Sequence, residues 1–433
     1  MTALGLKDYI TNNKRNVTTF LMLLWGIVCA IYCVYTNLEP TGYHSFYAVD
    51  RVDIVNRGIA LIAVGEPVWV NHDGRQAQWI FYPYLASMLG ITSSNEIFLF
   101  VQMFTSGLAF SILPLFFYWL TRNFFIGLFS PLLIWSFCGE WLFQTHTDFH
   151  WASYWIIIVS MPLLIILYRR KWDRLSWFVF ASLCICISFS NMIRAQSALP
   201  ALIAVLVIIY LKLILPAWKS RNSNKPFCKS NFIVLFAIVT VILSYILLET
   251  IMPAVYSAIN GTQRTTNSEQ FWHSLYIGLG WEENPFGIVY TDEFVLLRAV
   301  ELGADIYTRN ARDVIREEYL MLMRENAAFF ISSYIRKFFH IIITVSHLAR
   351  IPLLMSCVLY IVAFVKNRTL FKKYLPALLI ITAGLLIGCI EAMIAVPTVR
   401  YLFGSIAAAN LIPVIAVIAA LDSICPSNIC RHL

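Results

Sequence analysis

Charge is what this chain has least of. Only 13% of its 433 residues are Asp, Glu, Lys or Arg, while 59% are hydrophobic; an ordinary soluble domain carries about 25% charged residues. That balance excludes a water-soluble fold. Apolar runs of roughly 20 residues suit a hydrocarbon core, and since they do not alternate they read as helices rather than barrel strands. A signal-peptide cleavage site is also missing: Lys14-Arg15 precedes the first run, Val17 to Leu38, but no small-residue site follows, so the run is read as a retained first helix. The two largest outer loops hold none of the ten cysteines, which excludes a disulfide framework there. Cys184 and Cys186 lack a ligand-like spacing and read as packing residues. Repeats, low-complexity tracts and charged tails are absent as well. The net charge of +8 traces to short basic loops between apolar runs, so it does not argue for a nucleic-acid partner.

What is there predicts an all-α polytopic membrane protein of about 10 transmembrane helices, with large outer loops containing interfacial helices. Spans are expected near 17–38, 97–120, 123–139, 152–168, 175–191, 196–215, 231–250, 349–366, 374–396 and 401–421. Cytoplasmic loops retain Lys and Arg. Placing the N-terminus inside collects Lys14/Arg15, Arg169 to Lys171, Lys212 to Lys229 and Lys366 to Lys373 on that side, and makes both termini cytoplasmic. The apolar segment from Ala327 to His347 is then a surface helix, running from about Asp313 to His340 with its charges towards water. Counted as an extra span, it would put the 366–373 basic cluster outside. Three parts result: 1–250, an N-terminal transmembrane module with the first outer loop at 39–95; 251–348, a large outer loop with its interfacial helix; and 349–433, the C-terminal helices. Of 24 acidic residues, only Asp8, Asp173 and Asp422 face the cytoplasm in this topology. Any chemistry belongs to the outer face.

Four stretches there carry groups able to do chemistry. In the first loop, apolar residues from Tyr47 recur at three and four, which predicts an amphipathic interfacial helix with Asp50 and Asp53 on one face. The aromatic segment around Phe81-Tyr82-Pro83-Tyr84 suits the headgroup level. The second outer loop reads His146-Thr147-Asp148-Phe149-His150; imidazoles and a carboxylate this close could hold a divalent cation such as magnesium, manganese or calcium, although the spacing is not a recognised zinc pattern. Equally, the cluster could orient a hydroxyl or bind sugar. Phe271 to Asp292 combines glycines, a proline and dense aromatics, including Trp272 and His273, and reads as a tight loop with flat faces that sugar rings pack against. It is not a phosphate-binding Gly-loop, since no Lys-Ser/Thr follows. Arg400-Tyr401 opens the last span; Arg400 there can take a phosphate bidentately, and Arg194 sits in a comparable outer connection. For both arginines the plainer alternative is snorkelling to the interface.

Together these features resemble the GT-C superfamily of membrane glycosyltransferases, which use polyprenyl-phosphate sugar donors. Asp50-Arg51-Val52-Asp53 and Phe81-Tyr82-Pro83-Tyr84-Leu85 stand where that superfamily has its first-loop acid and its aromatic approach to the second helix. Arg316-Glu317-Glu318-Tyr319 with Glu325 to Phe330 looks like the helix preceding its later spans, and Arg400-Tyr401 like an arginine-tyrosine pair near its last outer turn. The pattern departs from the Asp-Glu pair of the protein O-mannosyltransferase-like branch and lacks the Trp-Trp-Asp of oligosaccharyltransferase subunits. The resemblance implies transfer of a sugar to a glycan, lipid or protein acceptor. Asp50 would be the base, with Asp53 and Asp148 as alternatives, and Arg400, Tyr401, Arg194, Trp272, His273 and Tyr82 would contact substrate. The nearest other readings are a lipid-linked oligosaccharide polymerase or ligase, and a transporter or flippase. Transport calls for ionisable groups at the bilayer midplane, and apart from Glu391 no acidic residue falls clearly inside a span. A non-catalytic envelope scaffold would depend on no single loop carboxylate. The absence of secretory disulfides and the compact length point to a bacterial inner membrane.

Overall fold

A computed structural model of the chain describes residues 14–36, 49–68, 80–143, 151–169, 172–193, 197–216, 228–260, 270–305, 309–348, 358–359, 361, 365, 368–394 and 402–424. Among them there are helices, turns and coil and no strand. The apolar bundle comprises α1 (Lys14–Thr36), α4 (Ser94–Thr121), α5 (Phe124–Phe143), α6 (Trp151–Arg169), α7 (Arg174–Ile193), α8 (Leu199–Ile209, continued by a π turn), α9 (Cys228–Ile246, likewise), α15 (Arg368–Gly388), the short α16 (Ile390–Ile394) and α17 (Phe403–Ile424). Between them lie α2 (Val49–Ala63), α3 (Tyr82–Leu89), α10 (Met252–Asn260), α11 (Gln270–Gly278), α12 (Asp292–Glu301), α13 (Arg309–Glu325) and α14 (Ala327–Leu348).

Among the described residues six segments are long and apolar enough to cross a membrane, in α4, α6, α7, α14, α15 with α16, and α17, which makes the chain a helical membrane protein. Four further apolar helices are shorter. Of Gly404–Leu421 in α17, 89% is buried, whereas only 28% of Ala327–Val345 in α14 is. The first is therefore the axis of the bundle and the second its edge. Close helix approach needs small residues: a Cβ on Gly384 would stand 2.6 Å from the Pro200 carbonyl oxygen, so α15 and α8 meet backbone to backbone.

The two ends of the bundle differ. At one, cationic side chains close neighbouring helices. Arg169 donates to the Leu120 carbonyl at 3.1 Å and lies over the Tyr374 ring. Lys212 donates to the Leu167 and Tyr168 carbonyls. These contacts satisfy carbonyls that a helix terminus leaves without an intrahelical partner. Trp172, Trp177 and Phe180 pack together at the same level. The other end is covered by α2, α3 and α10 to α14.

Two expectations need correction in that cover. The stretch from Phe271 is not loop throughout, because α11 extends to Gly278 and buries Leu275, Tyr276 and Ile277. Nor is there one helix from Asp313 to His340. The chain turns at Asn326, whose amide donates to the Leu322 carbonyl and whose own carbonyl starts α14 by accepting from Phe329 and Phe330. The turn lets α13 and α14 fold against each other with Tyr319 and Phe330 in contact.

Candidate active site at the covered end

The first-loop module is held by apolar contacts. Val55 and Ile59 of α2, Tyr82 and Ala86 of α3, and Ile97, Phe98 and Val101 of α4 form one buried cluster with Ala152, Met192 and Ile193. The module thus sits over the start of α4, the start of α6 and the end of α7. Asn56 accepts from the Ser94 amide at 2.9 Å, capping α4 from α2, as a side-chain amide oxygen does at a helix N-terminus. Asp50 lies in the first turn of α2 and Asp53 one turn on, and the Asp53 side chain is exposed. Three residues of a 3.6-residue helix put the two positions about 60° apart around its axis.

Four helices, α11 to α14, build a second body, the cap. Its core is Leu275, Tyr276, Ile277, Leu279, Ile288, Val295, Ala299, Ile315, Tyr319 and Phe330. Asn284 closes the loop between α11 and α12, donating to the Glu282 and Ile288 carbonyls and accepting from the Phe286 and Ile288 amides. Gly280 permits that closure: a Cβ there would fall 2.6 Å from the Val289 and Tyr290 backbone. Thr291 then caps α12.

Ion pairs tie the cap across long sequence distances. Arg298 donates to Glu318 at 2.6 and 2.9 Å and to Glu301 at 2.8 Å. Glu318 and burial together push the Tyr276 phenol well above its ordinary range, burial being the larger cause. Burial, and then Tyr334 at 2.8 Å, raise Tyr319. Glu282 receives Arg336 of α14 bidentately, at 2.6 to 3.1 Å. Trp281 donates to Ser333, and the buried Lys337 donates to the Met393 carbonyl at 3.2 Å. The cap is thereby fixed to α16, and Ile394 packs on its core. Tyr256 of α10 accepts from the Val68 amide at 2.7 Å and pairs with Tyr84 at 3.2 Å, joining the fourth loop to the first.

The residues expected at the site fare differently. Tyr82 is wholly buried against Phe98 and supports α3 from within. Trp272 is half-buried, with the Phe271 edge, Tyr319 and the Arg316 guanidinium around its ring. His273 pairs with Asp292 at 2.8 Å near the surface. His146, Asp148, His150, Arg194, Arg400 and Tyr401 lie outside the described residues, as does the Asp50 side chain. The described residues that flank them do share one end: Ala152, Met192 and Ile193 belong to the first-loop cluster, and Ile394 packs on the cap. Among the described residues no group of three or more metal-ligating side chains gathers. Sequence reasoning gave Glu282, Arg298, Glu318 and Asn284 no individual role. The ion pairs join positions 20 and 54 apart, a separation without local signal, but Asn284-Pro285 and the nearby glycines did mark the loop.

No family model, no curated protein and no solved structure matches the chain. At the covered end of the bundle a carboxylate helix lies on the membrane helices, a cap rich in ion pairs stands beside it, and basic side chains are set into the opposite end.

Proposed function

We propose that the protein is a GT-C-like membrane glycosyltransferase that takes a sugar from a polyprenyl-phosphate donor and passes it to a glycan, lipid or protein acceptor. In this reading the chain crosses a bacterial inner membrane about ten times with both termini cytoplasmic, and works on the outer face. The observation that carries the reading is the convergence of the first-loop module with the start of α6 and the end of α7 in one buried cluster. Asp53 belongs to α2 of that module, and Ala152 and Ile193, described residues close in the chain to Asp148 and Arg194, lie in the same cluster. The cap is anchored on α16, whose last residue, Ile394, packs on the cap core.

Transfer would proceed by general-base catalysis with inversion. Asp50 takes the proton of the acceptor hydroxyl as its oxygen attacks the anomeric carbon, and the bond to the phosphate oxygen breaks. Arg400, with Tyr401 beside it, meets the charge left on the phosphate. Trp272 and His273 belong to the face that the sugar or acceptor passes. If a divalent cation takes part, His146, Asp148 and His150 are its expected ligands.

The test is sugar transfer from a radiolabelled polyprenyl-phosphate donor by variants in nanodiscs. Asp50→Asn should lower turnover by about 10²–10⁴-fold, the usual contribution of a general base, with donor binding retained. Arg400→Ala should weaken donor binding as well. Loss with Asp53→Asn or Asp148→Asn instead would move the base there, and wild-type transfer by all three carboxylate variants would sink the mechanism.

A further inference from the structure

Helix α14 has two faces of unlike fate. Phe330, Ser333, Lys337, Ile341 and Val345 form a single buried stripe, and its partners change along the helix. Phe330 lies in the core of the cap, Lys337 meets the carbonyl of Met393, and Ile341 and Val345 belong to the main buried cluster shared by α4, α6, α8, α15 and α17. The stripe spans about 22 Å at 1.5 Å per residue. A helix lying flat on the bundle would keep one kind of partner, whereas this one leaves the cap and enters the bundle. The other face is apolar and open: Ile331, Ile335, Phe338, Phe339, Ile342 and Ile343 are 37 to 62% exposed. Its lower half stands at the height where Ile341 and Val345 pack among membrane-crossing helices, so it continues the outer wall of the bundle. The charges nearest to it are neutralised or buried, Arg336 by Glu282 and Lys337 within the protein.

We propose that the open face of α14 is a lipid-contacting surface that crosses the membrane boundary, with Ile331 and Ile335 at headgroup level and Phe339, Ile342 and Ile343 among acyl chains. The Glu282–Arg336 pair then sits at the boundary and sets the depth of the cap. This proposal differs from the expected helix lying on the outer surface, and it stands whether or not the protein transfers sugar.

Two measurements on the whole chain in phospholipid nanodiscs test it. Trifluoromethyl-phenylalanine is placed singly at 331, 335, 339 and 343, and a soluble gadolinium chelate is added. Fluorine broadening should fall stepwise from 331 to 343, by several-fold in all. Equal broadening at the four positions would refute the crossing. Benzoyl-phenylalanine in place of Phe339 should, on irradiation, give an adduct heavier by one phospholipid, as the same group should in place of the 64% exposed Ile31 of α1. A covalent dimer from position 339 would show that a second copy occupies the face, and no lipid adduct there beside one from position 31 would show that lipid does not. Either result overturns the proposal.

Discussion

Taking the guanidinium from Arg298 strands a buried carboxylate of the cap, Glu318. The Glu318 side chain is 7% exposed, its Oε1 accepts both Arg298 hydrogen bonds, and its Oε2 has no hydrogen-bond partner among the described residues. Arg298→Met keeps the aliphatic stem and leaves a buried carboxylate beside the neutral Tyr276. Removing one partner of a fully buried pair typically costs about 3–5 kcal/mol. Arg298 is 37% exposed, however, and exposed pairs contribute only about 0–1 kcal/mol. The expected cost lies between, at about 2 kcal/mol, or about 30-fold in the opening equilibrium. Hydrogen exchange of the intact protein in nanodiscs reads that opening directly, since amides of α12 and α13 report the free energy of cap opening while those of α6 serve as the control. Exchange in α12 and α13 should speed up by about that factor and α6 should not change. Adding Glu318→Met should restore much of the loss, because replacing both partners by apolar groups is often close to neutral. Unchanged exchange in Arg298→Met, or a double variant that opens more readily than the single one, would refute the assignment of the pair as the lock of the cap.

Reporter fusions at Lys225 and Gly261 should lie on opposite sides of the membrane; the same side for both would remove the outer-face assignment. If the protein transfers sugar as proposed, transfer should persist in a chelator, because the His146, Asp148 and His150 spacing fits sugar contact better than a recognised metal pattern. Loss of transfer that added magnesium, manganese or calcium reverses would make the cluster a metal site. The Tyr276 phenol is held neutral, so its contribution to stability is complete below the ordinary tyrosine value near pH 10 and is lost as pH rises towards the raised folded value. In an alkaline titration followed by tyrosinate absorbance, Tyr276→Phe should remove amplitude from the late phase only; a smaller early phase would show that this phenol titrates normally.

Much of the covered end was legible one segment at a time. The three-and-four recurrence after Tyr47 predicted a helix, and α2 occupies Val49–Ala63, because amphipathic periodicity is a local property that survives tertiary packing. Asn284-Pro285 and the neighbouring glycines marked a turn that the Asn284 side chain closes. Helix α11 was missed because its glycines stand at its end, where they terminate it, and the same glycines suggested a loop for the whole stretch. The break at Asn326 was missed since apolar residues continue on both sides and no proline or glycine punctuates them. Tyr82 looked like a headgroup aromatic, yet it faces Phe98, a contact between two helices that neither segment announces alone.

By itself the sequence determined the solvent: 13% charge and long apolar runs cannot satisfy a chain in water and leave helices as the way to pair the backbone in lipid. It also determined the charge asymmetry along the chain, because lysines and arginines lie between apolar runs whatever the fold. Only the tertiary structure decided which segments meet. The joining of the first loop to the starts of α4 and α6, the Glu282–Arg336 and Arg298–Glu318 pairs and the passage of α14 from the cap into the bundle all depend on contacts between residues far apart in the chain. Hydrophobic periodicity tells a helix which face to bury, and it is the packing of the other helices that supplies the partner.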